Sequence, residues 1–144
     1  MAETVKLKAI KALEDAIKRV SGVAQVVRSP AFAIEQETAR FPLIFLWEES
    51  EQKERVNRLA RARVSVQVQI WHRSSELDAV DELAGKIEKA LLTDETVART
   101  VSALRPDPER SAVKLITDEF LVGCVLGYVF ELNHVWADPF DDGR

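Results

Sequence analysis

The chain has one cysteine, two histidines, five glycines and five prolines among its 144 residues. Each scarcity excludes something. A lone Cys124 cannot close an internal disulfide, so no oxidising compartment is called for. His72 and His134 have no second His or Cys at a metal-ligand spacing, which argues against zinc. Their places at the ends of expected strands read as exposed. Glycine is too sparse for a phosphate-cradling loop, and neither a GxSxG elbow nor a dinucleotide fingerprint occurs. The apolar run from Phe120 to Phe130 is far shorter than the roughly 18 residues of a membrane span, and Gly123 and Gly127 break it. The first eight residues carry charges where a secretory signal would be apolar, so the expectation is a cytosolic chain without membrane contact. A net charge of −4 gives no overall attraction to nucleic acid.

What is present reads as one α+β domain over 1–144, with a flexible acidic tail at 137–144. Leu7, Ile10, Leu13, Ile17 and Val20 recur at helical steps and predict an amphipathic helix over 5–20, stopped by Gly22. Leu77, Val80, Leu83, Ile87 and Leu91 predict a second helix over 77–92, with Ser74 or Ser75 as its N-cap. Short extended segments are expected at 23–28 and 31–35, around Ser29-Pro30. Phe41 to Trp47 is apolar on both faces and reads as a covered strand. Arg63 to Trp71 alternates strictly, with Val64, Val66, Val68 and Ile70 pointing inward. The charged stretch 48–62 between these two strands reads as the long, mobile tip of a hairpin. Val97 to Leu104 reads as a strand, and a long final strand runs from 120 to 135. The expected fold is a mixed, mostly antiparallel sheet, with both helices on one face and a long β-hairpin arm. Leu13, Ile17, Leu83, Ile87, Val66, Val68, Val125 and Phe130 are the expected core.

Catalytic groups are few. Cys124 sits inside an apolar strand, where a thiol is inert, and the paired acids at 48–49, 81–82 and 141–142 are neighbours in sequence rather than across a cleft. Three features instead ask for a partner. Lys53, Arg55, Arg58, Arg61 and Arg63 form a basic run, with no stacking aromatics among them and with glutamates interleaved, which disfavours nucleic acid. Ser65, Gln67 and Gln69 leave the outward face of the alternating strand polar but uncharged, which suits a packed surface. Both Phe41–Trp47 and the final strand are apolar on two faces, more than two helices can cover. The acidic counter-surface for a basic arm is Asp78, Asp81 and Glu82, or Asp138, Asp141 and Asp142 of the tail.

The order α–β–β–β–α–β–β resembles the tail terminator proteins of long-tailed bacteriophages, of the minor tail protein U type. The helix Leu7–Val20, the alternating Arg63–Trp71, the helix Leu77–Leu92 and Gly127-Tyr-Val-Phe-Glu131 carry the likeness. The resemblance implies a non-enzymatic protein without cofactors, which forms a six-subunit ring on the tail tube, ends tube growth and offers a surface to the head-completion connector. It also implies assembly in the host cytoplasm and residence in the virion tail. A head–tail connector, a tail-tube-related protein and a small cytosolic ligand-binding module remain open alternatives.

Overall fold

The computed structural model describes residues 3–29, 39–73, 77–109, 113–116 and 121–144. The extended segment expected over 31–35, and the Ser74 or Ser75 cap, lie outside them.

Helix α1, Val5–Lys18, begins where the Thr4 hydroxyl accepts the Leu7 N–H at 3.0 Å, which satisfies one of the first turn's free donors. Its stripe buries Ile10, Leu13 and Ile17 together with the small Ala9, Ala12 and Ala16, which let the helix lie close on the sheet. The chain leaves it through Gly22, whose φ of +99° suits a residue without a Cβ. Strand β1, Gln25–Val27, pairs in parallel with β2, Leu43–Val56, and β3, Leu59–His72, follows antiparallel. Helix α2, Leu77–Thr93, buries Val80, Leu83, Ile87 and Leu91.

The segment expected as a strand from Val97 to Leu104 divides instead. Its first part is a short helix, α3, Glu95–Thr100, and β4 covers only Ser102–Pro106. The β-branched residues suggested a strand, but Asp94 caps the turn: its carboxylate accepts the Val97 N–H at 2.9 Å and also pairs with Arg19, which caps the end of α1. A local cap and a tertiary ion pair outweigh weak propensity here. Strands β5, Val113–Ile116, and β6, Val122–Val135, complete the sheet. Its order is β1-β2-β3-β6-β4, with β5 pairing farther along the same edge of β6 that β4 uses. All pairs but the first are antiparallel.

All three helices contribute to one core on one face of the sheet, against Ile44, Leu46, Val64, Val66, Val68, Ile70, Tyr128 and Phe130. Burying each such side chain contributes on the order of 1.5–3 kcal/mol. Of the expected core only Val125 is half-buried, because it sits on the opposite face. That opposite face is itself partly closed. Leu43, Phe45, Trp71 and Leu121 form a second buried cluster with Trp47 and Leu115. Much of the apolar surplus at this end is therefore covered within the chain. Gly123 of β6 lies directly against this cluster, where an added Cβ would stand 2.8 Å from the Trp71 ring.

The hairpin corrects the expectation of a long polar loop. Pairing continues from Leu43↔Trp71 to Val56↔Leu59, and a two-residue turn, Asn57-Arg58, joins the strands. Asn57 takes φ +58°, which asparagine tolerates better than most residues. A bulge between Glu48 and Ser50 adds one residue to β2 and reverses which side chains face the helices. Glu48 lies opposite Val66 and Glu51 opposite Val64, so both carboxylates share the helix side.

Candidate functional site

Two ends of the molecule collect the residues singled out from sequence, and the strands between them are long. The 14 residues of β3 reach roughly 46 Å at about 3.3 Å each. The five basic residues all lie in the outer half of the hairpin. Arg55 donates from Nε to the Asn57 carbonyl at 2.9 Å, and its guanidinium lies 5.3 Å from the centre of the Trp136 ring. Arg61 Nη1 is 3.7 Å from Glu54 Oε1. Lys53 Nζ is 3.2 Å from Glu51 Oε1, and Lys6 of α1 approaches the same carboxylate from the helix side at 2.9 Å. Burial alone would raise the Glu51 carboxyl, but hydrogen bonds from Lys6 and Lys53 outweigh it and hold the group below its ordinary value. Arg58 and Arg63 have no ion-pair partner among the described residues.

Ser65, Gln67 and Gln69 occupy the middle of the outward face and are half-buried. Gln69 is engaged locally, accepting the Trp71 indole N–H at 3.1 Å. The uncharged middle of β3 thus serves the second buried cluster at one end and stands open toward the basic tip at the other.

The two proposed acidic groups lie far apart. Asp78, Asp81 and Glu82 stand at the start of α2, beside the β5 edge and away from the hairpin tip. Asp81 Oδ2 accepts from Lys114 Nζ of β5 at 2.6 Å, and this hydrogen bond is the main cause raising the lysine's pKa. Glu82 is 3.5 Å from Lys86. Asp78 is exposed and has no ion-pair partner among the described residues. The tail that carries the other acids, by contrast, folds back onto the hairpin turn of its own chain. Trp136 N–H donates to the Arg58 carbonyl at 2.7 Å, Val135 N–H to the Asp141 carbonyl at 2.7 Å, and Val5 N–H to the Pro139 carbonyl at 2.9 Å. The side chains of Asp138, Asp141 and Asp142 accept the backbone N–H of Phe140, Gly143 and Arg144. Each of these carboxylates is engaged in a local turn, and of the two acidic groups only the α2 end faces away from the tip.

Sequence reasoning missed the apolar residues at both ends. Val56, Trp136 and Phe140 are exposed at the tip, and Ile116 at the β5 edge is 71% exposed. The tail offered a signal, since Phe140 stands among Asp138, Pro139, Asp141 and Asp142, where an unsupported aromatic has no reason to be.

The groups with chemical potential are quiet. Cys124 is buried, and burial, followed by the charge of Asp81, pushes its thiol up and away from the reactive thiolate. Tyr128 is likewise raised far above its ordinary range by burial and by Glu88. The histidines correct the expectation of exposure. His72 is half-buried, and His134 is buried with Nδ1 2.6 Å from the Val135 carbonyl. Among the described residues, no three His, Cys, Asp or Glu side chains are grouped to hold a metal, and no helix is long and apolar enough to cross a membrane. A groove of about 690 Å³ runs between the tail and α3, lined by charges of both signs, Lys8, Arg99, Glu131 and Asp142 among them.

Among curated proteins nothing matches the chain. A family model described as "Tail completion protein gp17" matches residues 11–115, from within α1 through both hairpin strands, α2, α3 and into β5. That span exceeds half of the 144 residues. The chain belongs to the tail completion protein gp17 family, whose members are structural proteins of phage tails.

Proposed function

We propose that this protein is a tail terminator: several copies close into a ring on the end of the tail tube, stop its polymerisation and present the other side of the ring to the head-completion connector. The ring has six subunits, as the resemblance to the U-type terminators implies. Assembly takes place in the host cytoplasm and the product stays in the virion tail. It needs no cofactor, membrane or nucleic acid, and its work is contact rather than catalysis.

The observation that carries this reading is the placement of opposite charge at opposite ends of one continuous strand system. Arg58 and Arg63 lie on the hairpin and Asp78 at the far end of the sheet, each without an ion pair among the described residues. The two surfaces cannot meet within one copy. Between copies they make a heterologous, head-to-tail contact, which closes into a ring when the rotation per subunit divides a full turn. Charges of this kind mainly set the association rate and its salt sensitivity.

Light scattering across a concentration series, with and without tail tubes, measures the assembly. Reversing Arg55, Arg58 and Arg61 to Glu is expected to leave the subunit folded and to slow or abolish ring formation, most at low salt, where screening is weakest. Tails completed with this variant are expected to lose their uniform length. Normal rings and normal tail lengths would overturn the role of the arm. Uniform tubes that fail to join heads would move the protein to the connector station. A salt-dependent DNA affinity lost in the variant would restore nucleic acid as the partner.

A further inference from the structure

We infer that the subunit contact is anchored by an aromatic tip seated on the β5–α2 corner of a second copy, an inference that rests on the ring reading above and names its contact surfaces. At the tip, Val56, Trp136 and Phe140 are 41%, 42% and 49% exposed. The chain holds this surface firmly. The Trp136 N–H is bonded to the Arg58 carbonyl at the hairpin turn, and the Arg55 guanidinium lies 5.3 Å over the indole. Stacking on a cation fixes the ring before any partner arrives, which lowers the ordering cost of binding. Tryptophan and arginine are both among the residue types enriched where interfaces concentrate their binding energy.

The occupant is identified by what the other end of the molecule offers. At the β5 edge, Ile116 is 71% exposed. It pairs with Val122, so it lies on the helix side of the sheet, two residues beyond Lys114, whose ammonium reaches Asp81 of α2. Asp78, one turn earlier on α2, is close enough to contribute to the raised pKa of that lysine. This corner therefore combines an exposed aliphatic side chain with Asp78, a carboxylate that has no ion pair among the described residues and shares Lys114 with Asp81 only at longer range. The tip combines exposed aromatics with the Arg58 guanidinium, which has no ion pair among the described residues. Each surface supplies what the other lacks, and the length of β3 keeps them from pairing within one subunit. A second copy of this chain is the partner that fits. The match gives polarity as well as affinity, since tip against tip would bring Arg58 to Arg58 and corner against corner Asp78 to Asp78, both repulsive.

The test uses the full-length chain under conditions where the wild type assembles. Trp136→Ser and Ile116→Ser are each expected to leave the folded circular dichroism spectrum intact and to weaken association, read by sedimentation, by about tenfold or more, as anchor residues do. Arg58→Glu and Asp78→Arg are each expected to weaken it too, and the chain carrying both changes to recover most of the loss, because each altered end then meets its new complement on the neighbour. A double variant no better than the worse single one would overturn the pairing, whether or not the serine variants fold. Normal assembly of Trp136→Ser and Ile116→Ser, beside failure of the triple arginine reversal, would overturn this docking and leave the ring standing. A wild type that stays monomeric even on tube ends would overturn both. A Trp136→Ser variant that forms normal rings yet no longer stops tube growth would assign the tip to the tube protein, against a second copy.

Discussion

The base and the tip of the β2–β3 hairpin are built from the same pairing and live in different surroundings. At the base, Leu43, Ile44, Phe45 and Leu46 are buried in succession, because helices cover one face and the second apolar cluster closes the other. Beyond the bulge at Glu48/Ser50 the same strand is mostly exposed, and ladder hydrogen bonds, ion pairs and a turn hold it instead of packing. On β3 the inward residues Ala60 and Ala62 remain fully buried even there, against β6 and the chain that follows it. An isolated two-stranded ribbon is marginal in water, so the third strand, β6, is what makes so long an arm possible. The base stores stability, while the tip is free to carry residues chosen for contact.

Substitutions can break that comparison. The largest expected effect is at the base, where Leu46→Ala removes a fully buried side chain and should cost about 2–5 kcal/mol in denaturant titration. Val56→Ala, ten residues on in the same strand, should stay within about 0.5 kcal/mol. Similar losses at the two positions would mean that the tip is packed as tightly as the base. Gly123→Ala comes next. Its methyl would stand 2.8 Å from the Trp71 ring and 3.0 Å from the Ile70 carbonyl, an overpacking of the kind that costs about 1–3 kcal/mol. A neutral result would show that the Trp71 ring moves freely.

The boundary between the two regions is electrostatic, and pH sharpens it. Lys6 Nζ lies 3.1 Å from Glu48 and 2.9 Å from Glu51, tying α1 to the hairpin just past the bulge. The Glu51 pKa is lowered from 4.5, so its contribution is present above that value and is lost as pH falls through the lower folded value. The Lys6 pKa is raised from 10.5, because its hydrogen bonds to Glu51 and Glu48 outweigh the burial that would lower it. Its contribution is present below 10.5 and is lost as pH rises through the higher folded value. Between those limits the tie should be constant. Amide protection along 48–54, taken relative to the intrinsic exchange rate at each pH, should fall as pH drops below 4.5 and through the lower folded value in the wild type, and Lys6→Gln should remove most of that dependence. A Lys6→Gln variant with the same acid response would place the tie elsewhere. The smallest effect belongs to Arg61→Ala. Its partner Glu54 is as exposed as it is, so the stability change should be within about 0.5 kcal/mol, measured by thermal melting, whatever happens to assembly.

Periodicity makes α1, α2 and β3 legible in the sequence, because each buries one regular stripe and exposes the rest. The tip is not legible there for the converse reason. Both faces of 50–58 meet solvent, so no alternation of apolar and polar residues marks the strand, and Asn57 is followed by Arg58 rather than by the glycine that usually announces such a turn. Helix α3 is hidden because Thr96, Val97 and Thr100 favour extended structure locally, and the Asp94 cap gains its second partner from Arg19, 75 residues away in sequence. Of the candidate contact residues, the sequence by itself determined the basic run, the polar middle of β3 and the acids at the start of α2, since charge and alternation are properties of neighbours along the chain. Tertiary structure alone decided that the tail folds back against the hairpin turn of its own subunit, that His134 is buried, and that Trp136, Phe140 and Ile116 are left exposed at opposite ends. Those outcomes depend on register across β3 and β6, where the sheet sets residues side by side that lie dozens of positions apart in the chain.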